Sequence, residues 1–511
     1  MKAVLLLIGL TPLLTACMAV GPNYQKPELA APKQWSVPTV KTMQTEKWWQ
    51  LFNDPILDGL IKEAVNANLD LKQALVRIKD VRAQRSAVFA AALPTLSGHS
   101  NVSRRLNNSS GGGQSNTVGG GFGIGNQITN IFQSGFDASW ELDFFGGVQR
   151  TAEALNATLE SEIENSRDVL VTLLAEVARN YMELRGQQRL LAIALDNLAA
   201  QQDVEQLTQV RQQSGLATGL DVSQAQALVA STSASVANYE AQIQQSVHAL
   251  GVLLGREPNY LLSRLQAADP SQLSAAHIPK VTTQVIPDLP SELLKRRPDI
   301  RQAERSMAVA VANIGIATAE LYPKINLTAF LGLQNSNIKD LTPVGKSWST
   351  AASLTVPIFN WGKLQANIKS KRAQSEQAFL TYQATILKAF KEVEDALVAY
   401  HQEQQRNAAL GQAVAANELA VQLADERYQK GLTGFIDVLN SQQALLQSQS
   451  ELTRSELAIS THLVALYKAL GGGWQAEGKV NESGRAVKET VAEQVYDLTH
   501  KAIIHKKTHS H

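Results

Sequence analysis

R-Q-Q-S-G-L-A-T-G-L-D-V, from Arg211 to Val222, is echoed by R-Y-Q-K-G-L-T-G-F-I-D-V, from Arg427 to Val438. Each segment joins two helical stretches. Gly215 and Gly431 stand where a long helix must stop in a residue free to take positive φ, and Asp221 and Asp437 follow six residues later to open the next helix as its N-cap. Further out, Gly255 and Gly471 each lie 40 residues beyond the turn glycine, at the end of a Leu-Gly pair. Upstream, Asp70 and Pro94 are 24 residues apart, and so are Asp299 and Pro323. A period of roughly 215 to 230 residues is too long for a solenoid unit. The 511 residues therefore read as one body made from two copies of a unit.

The stretches that meet at these turns are long helices without proline. Thr151 to Gln213 carries Leu170, Val177, Leu184, Leu191 and Leu198 at seven-residue spacing. Lys363 to Lys430 carries Ile386, Val393 and Tyr400, then Val414, Val421 and Tyr428. About 65 residues at 1.5 Å each make a rod of about 100 Å, far longer than one globular core requires. The return helices, Val222 to Leu254 and Val438 to Leu470, are about half as long. Leu69 to Leu93 and Pro298 to Leu321, stacked end to end with them, would complete a composite rod in each repeat. Heptads rich in Ala, Gln and Ser suit close packing in a wide, partly wetted assembly; a plain coiled-coil stalk is the alternative.

Between the helices the period changes from helical to two. Phe136, Ala138, Trp140, Leu142 and Phe144 alternate with Asp137, Ser139, Glu141 and Asp143. Similar runs are Ile325 to Leu333 and Trp348 to Val356, with a fainter one from Leu96 to Leu106. Loops fall at Asn107 to Asn126 and Asn335 to Ser347. Four strands of about ten residues have membrane-spanning length, with one apolar and one polar face. Four cannot close a barrel, and an open edge in lipid strands backbone donors, so spanning strands imply that several copies share one barrel. From periodicity alone a soluble four-stranded sheet lying on the helices stays open.

The N-terminal end reads as an export signal. Lys2 precedes an apolar run to Leu14, and Leu14-Thr15-Ala16-Cys17 ends it with the only cysteine of the chain, so no intrachain disulfide can form. No other apolar run reaches 18 residues, the length a membrane helix needs. G-P-N-Y at Gly21 to Tyr24 starts an extended, proline-spaced segment expected to drape over the body. Trp48 and Trp49 then read as packing anchors before a helix capped by Asp54, with Pro55 at its first position.

Net charge is +1 and charged residues are 18%, with no basic stripe, so nucleic acid is not a partner. Enzyme signatures are absent. Gly345-Lys346-Ser347 has Asp340 where a phosphate loop needs glycine, and the glycines from Gly119 to Gly125 are followed by no helix. H-E-x-x-H, G-x-S-x-G and Cys/His clusters do not occur, and the five methionines form no stripe. His500, His505, His509 and His511 in the last stretch offer at most a weak metal site; a solvated tail is the plainer reading.

The cleavage site resembles a bacterial lipobox. With it go G-P-N-Y, W-W-x-x-F-x-D-P, W-E-L-D-F-F-G at Trp140 to Gly146, L-P-S-E-L-L-x-R-R-P-D-I, V-P-I-F at Val356 to Phe359 and Y-K-A-L-G-G-G-W at Tyr467 to Trp474. Together these resemble the TolC family of outer-membrane efflux channels, in its lipoprotein branch, the NodT type that serves RND pumps. The resemblance covers nearly the whole mature chain up to about Trp474.

It implies a mainly α protein with a transmembrane β part: long α-helical hairpins forming a periplasmic tunnel, and four strands per subunit of a twelve-stranded barrel shared by a homotrimer. It also implies a covalent lipid, diacylglyceryl and N-acyl, on Cys17, a periplasmic adaptor and an inner-membrane RND pump as partners, and passive export of drugs or other toxic small molecules through the outer membrane. A duct for protein or peptide secretion and a lipid-anchored helical scaffold without a pore are the alternatives. The expected layout is a signal peptide at 1–16, an anchored segment with a short helix at 17–68, a first repeat at 69–255, a linker at 256–290, a second repeat at 291–471 and a partly disordered tail at 472–511.

In this family the twin turns close the tunnel. Carried over position by position, the resemblance places Asp221, Tyr428 and Asp437 at the gate. Asn440 stands where some members have a second Asp, and Thr433 where some have an Arg, so the latch here is expected to be less ionic. Carboxylates from several copies, gathered in a narrow ring, would repel one another unless bonded and would favour cations in the pore.

Overall fold

The computed structural model describes residues 19–28, 32, 34–36, 46–108, 126–265, 277–281, 290–342 and 344–476. The expected signal peptide and Cys17 (residues 1–18), residues 109–125 of the expected glycine-rich loop, residues 266–276 and 282–289 of the expected linker, and residues 477–511 with the four histidines of the last stretch lie outside the described residues. The main elements in order are α1 (Pro55–Ala67), α2 (Leu69–Ala91), β1 (Thr95–Asn108), β2 (Asn126–Leu142), α3 (Gly147–Gln213), α4 (Gly219–Leu253), a four-residue α5 (Leu262–Leu265), α6 (Pro290–Arg296), α7 (Pro298–Ala319), β3 (Lys324–Asn335), β4 (Lys346–Thr355), α8 (Lys363–Gln429) and α9 (Phe435–Ala469). Each repeat thus runs helix, two strands, long helix, return helix. Both long helices hold 67 residues and both return helices 35.

The chain forms two units, one of residues 1–27, 79–160 and 304–381, the other of residues 28–78, 161–303 and 382–511. The first unit holds the sheet, antiparallel in the order β1-β2-β3-β4. Its register pairs Gly98 with Phe136, Phe136 with Leu331 and Leu331 with Trp348, so these residues share one face. That face also carries Leu96, Val102, Trp140 and Leu354, and it is uncovered: Val102 is 70% exposed, Leu331 67% and Trp348 74%. The opposite face carries Ser97, Asp137, Ser139, Glu141, Asn326 and Thr328. On it Phe330 lies against Gly135 and Gly332, where any Cβ would collide with its ring. Strands β1 and β2, at 14 and 17 residues, are longer than the ten expected. The extra pairs mix polar ones, such as Asn107 with Gln127 and Arg104 with Asn130, with apolar ones, Val102 with Phe132 and Leu106 with Ile128, so the alternation there is broken.

In the same unit the segment behind Cys17 is pinned down. Gly146 ends β2's exit with φ 76°, and Arg150, one turn into α3, is almost wholly buried. Its guanidinium donates to the carbonyls of Ala19 (3.3 Å), Val20 (3.0 Å) and Gly21 (3.2 Å) and to Asn23 Oδ1 (2.8 Å). Tyr24 donates its hydroxyl to Glu304 (2.6 Å), which also takes Arg305. Burial would raise the Glu304 carboxyl, but these bonds hold it below the usual carboxylate range.

The second unit carries the main core. Asp54 caps α1, accepting from Ile56 (2.8 Å) and Leu57 (3.2 Å), and its second oxygen takes the Tyr181 hydroxyl (2.7 Å). Leu57, Leu60, Ile61 and Ala64 on one face of α1 are buried, as are Leu170, Val177, Leu184 and Leu191 of the α3 heptads. Trp48 stacks on Tyr467 with centroids 5.0 Å apart. Arg297, from the R-R-P-D motif, is buried and donates to the carbonyl of Ala469 at the end of α9 (2.8 Å), besides pairing with Asp299 and Glu392. Among the described residues, no helix is long and apolar enough to cross a membrane.

Candidate functional site

Both turns lie in the second unit, and their helix stops are superimposable in bonding. Gly215 and Gly431 have φ of 74° and 71°. The amide of Gly215 donates to Gln212 (3.0 Å) and that of Leu216 to Arg211 (2.8 Å); Gly431 donates to Tyr428 (2.9 Å) and Leu432 to Arg427 (2.9 Å). This pair of bonds closes the last helical turn with a left-handed residue, which glycine adopts without steric cost. The same pattern ends the return helices at Gly255 and Gly471. The duplication is therefore visible in hydrogen bonds as well as in spacing.

The helix starts differ from expectation. Asp221 and Asp437 are not N-caps. The cap of α4 is Thr218, and that of α9 is Gly434, which has no side chain to cap with. Both aspartates sit three residues further in. There Asp221 completes a capping box: Thr218 Oγ1 accepts from the Asp221 amide (3.2 Å), while the carboxylate takes the Thr218 amide (2.7 Å) and hydroxyl (2.8 Å). Asp437 instead receives the Thr433 hydroxyl. Each carboxylate also lies in the first turn of its helix, where the dipole favours a negative charge.

Around the second turn the side chains gather. Tyr428 and Phe435 meet edge to face at 5.8 Å and are buried with Ala424, Val438 and Leu439 against Ala225 and Leu228 of α4. Arg211 of the first turn lies over the Tyr428 ring, 4.5 Å from its centroid, and donates to the Tyr428 carbonyl (3.3 Å). The Tyr428 hydroxyl is buried without a hydrogen-bond partner among the described residues. Asn440 is exposed. The structure thus brings Tyr428 beside the first turn, places Thr433 on Asp437, and leaves Asp221 bonded within its own turn.

Three residues escaped the sequence reading. Thr218 was findable, since T-x-x-D before an apolar run is the capping-box pattern. Phe435 carried a faint signal, an aromatic where the first turn has Gly219. Arg211, whose partner is 217 positions away, carried none.

Long helices ending in glycine-stopped turns, joined in sequence to strands of membrane-spanning length with an exposed apolar face, fit an outer-membrane protein. The chain belongs to the outer membrane efflux protein family, whose profile matches residues 60–256 and 289–472. It is 34% identical over 487 residues to the pyoverdine export outer membrane protein OpmQ of Pseudomonas aeruginosa, covering 91% of this chain and 97% of that one. It is also 34% identical over 470 residues to the toluene efflux pump outer membrane protein TtgI of Pseudomonas putida, covering 89% and 95%. The structure of the outer-membrane channel OprN superposes with a TM-score of 0.80 at 31% identity, covering 90% of this chain and all of that one. The protein is accordingly a passive efflux duct of the outer membrane and not an enzyme.

Proposed function

We propose that three copies close one barrel, four strands from each making twelve. In this reading Cys17 carries the diacylglyceryl and N-acyl lipid, and the twin turns are the periplasmic gate of a duct serving an RND-type inner-membrane pump. The observation that carries the reading is the sheet: one uncovered apolar face and two unpaired edges, which lipid tolerates only in a closed barrel. The Arg150 bonds to residues 19–23 support an anchor at Cys17, because they fix the chain just behind it. Leu216 and Leu220 in the first turn and Leu432 and Ile436 in the second are exposed, an apolar rim suited to a periplasmic adaptor. Export of pyoverdine and toluene by the relatives supports a cargo of toxic or secreted small molecules.

The test is single-channel conductance of the purified protein in a planar bilayer, beside the Asp221→Ala/Asp437→Ala variant. A small, rarely open conductance in the wild type and a sharp rise in the variant is the expected result. Channels of equal conductance in both would move the gate away from the turns. Assembled protein that conducts in neither form would remove the pore.

A further inference from the structure

The second repeat leaves the sheet through a stretch that is first apolar and then basic. β4 carries its apolar face to Leu354, and the chain runs on through Val356, Ile358, Phe359 and Trp361 to Lys363, the first residue of α8. Ile358 is 93% exposed, Phe359 74% and Trp361 89%. Trp361 has φ of 54°, and its ring lies against that of Phe359 with centroids 4.9 Å apart. A left-handed backbone is costly for so large a side chain, yet here it leaves the indole in solvent.

Basic residues follow at once. Lys363, Lys369 and Arg372 are exposed and have no ion-pair partner among the described residues, and Lys371 donates to Gln374 (3.1 Å). The sequence holds no acid from Val356 to Ser375, and Glu320 of α7 meets this stretch through Asn367 (3.4 Å). Because α3 and α8 both hold 67 residues, they can be compared from their first positions. Where α8 has Lys363, Lys369 and Arg372, α3 has Gly147, Glu153 and Asn156. The Arg150 of α3 is buried and pairs with Glu153 (2.7 Å). Cations in the first turns of a helix oppose its dipole, so the fold by itself does not call for those of α8.

We propose that this stretch is a seat for anionic phospholipid, with Lys363 pairing with the headgroup phosphate and Lys369 and Arg372 adding to the field beneath it. The occupant is argued from order and from charge. A strand leaving a bilayer passes from hydrocarbon to interface to phosphate, and Leu354, Trp361 and Lys363 follow in that order. The three charges fall within about 14 Å along α8, and such side chains lay their stems on apolar surface and turn the charge outward. A lipid without net charge would cover Phe359 and Trp361 but leave the cations uncompensated. This inference rests on the membrane reading of the sheet and names the lipid that collects where β4 leaves it.

The experiment uses full-length protein in phosphatidylethanolamine vesicles in which a minor share of the lipid is brominated on its acyl chains, either as phosphatidylglycerol or as phosphatidylethanolamine. Bromine quenches tryptophan emission on contact, and the difference between wild type and Trp361→Phe isolates Trp361. Both lipids should quench that signal, phosphatidylglycerol at an about fivefold lower fraction, the preference expected from one Lys or Arg near a charged surface. Lys363→Gln/Lys369→Gln/Arg372→Gln should remove the preference. Lys388→Gln/Lys391→Gln/Arg406→Gln, which takes the same charge from further along α8, should keep it. Phosphatidylglycerol retained through purification, counted by mass spectrometry against phosphatidylethanolamine, makes the same comparison if Trp361→Phe fails to assemble. Equal quenching by the two lipids, or a preference that survives the first triple variant, overturns the seat. So does a Trp361 that neither lipid quenches while the other tryptophans, Trp348 on the apolar face among them, are quenched; protein would then cover the stretch, and the membrane reading would stand. Absence of quenching at every tryptophan overturns both.

Discussion

The turn at 211–222 and the turn at 427–438 stop their helices with the same two hydrogen bonds and put an aspartate at the same place in the next helix, yet they are held by different forces. The first is held by capping: Thr218 and Asp221 bond to each other, and the apolar residues Leu216 and Leu220 face outward. The second has glycine at the cap and is held by packing, with Tyr428, Phe435, Val438 and Leu439 buried together. The glycine stop is thus common to both turns, while the residues that stabilise them differ. The duplicated turn keeps the glycine that stops its helix, while the partner of its acid and the packing around it differ.

If that division is right, the largest effect comes from the packed turn. Phe435→Ala removes the central ring of a small cluster and should cost about 3 kcal/mol locally, or about 100-fold in amide protection across the end of α8 and the start of α9. Hydrogen exchange followed by mass spectrometry reads this peptide by peptide. The first turn contains Gly219 at the matching position and should keep its protection. Equal loss at both turns would mean that they open as one unit, and the contrast would fall.

A smaller pair of changes exchanges the two devices. Thr218→Ala removes the cap and half of the box, worth about 1 kcal/mol, so the first turn of α4 should exchange about 5-fold faster. Gly434→Ser supplies the missing cap at α9; φ there is −79° and a Cβ meets no atom closer than 4.0 Å, so a side chain fits without strain. The gain should be a few tenths of a kcal/mol, since glycine is already a tolerable cap. No change from Thr218→Ala would show that Asp221 and the helix dipole suffice.

Much of this architecture was legible before any coordinates. The glycine and aspartate spacings revealed the duplication, and the long helices begin and end within four residues of the expected positions because glycine stops and heptads are strong local signals. The alternation from Phe136 to Leu142 marked β2, but its amino-terminal half, from Asn126, mixes polar residues on both faces and was silent. Asp221 and Asp437 lie in the twin turns as expected but are not N-caps, because aspartate is favoured both as a cap and three residues beyond it. What could not be read was contact across the repeats. Arg211 on Tyr428 depends on which helices lie side by side, and no local period encodes that.

The finest discrimination concerns the Tyr428 hydroxyl. A tyrosine at the proposed gate invites the reading that its hydroxyl is the latch, but the hydroxyl is buried without a partner among the described residues, and the ring makes the contacts. A buried polar group that forms no hydrogen bond destabilises, so replacing it by hydrogen should be neutral or favourable. Tyr428→Phe keeps the edge-to-face contact with Phe435, the face under Arg211 and the carbonyl that Arg211 bonds. Protection of the second turn should therefore change by no more than about 0.5 kcal/mol, with conductance unaltered. A loss above about tenfold, 1.4 kcal/mol, would show that the hydroxyl is bonded in the assembled protein. Its partner would then lie beyond the described residues of one chain, and the packing of the second turn would not be complete within them.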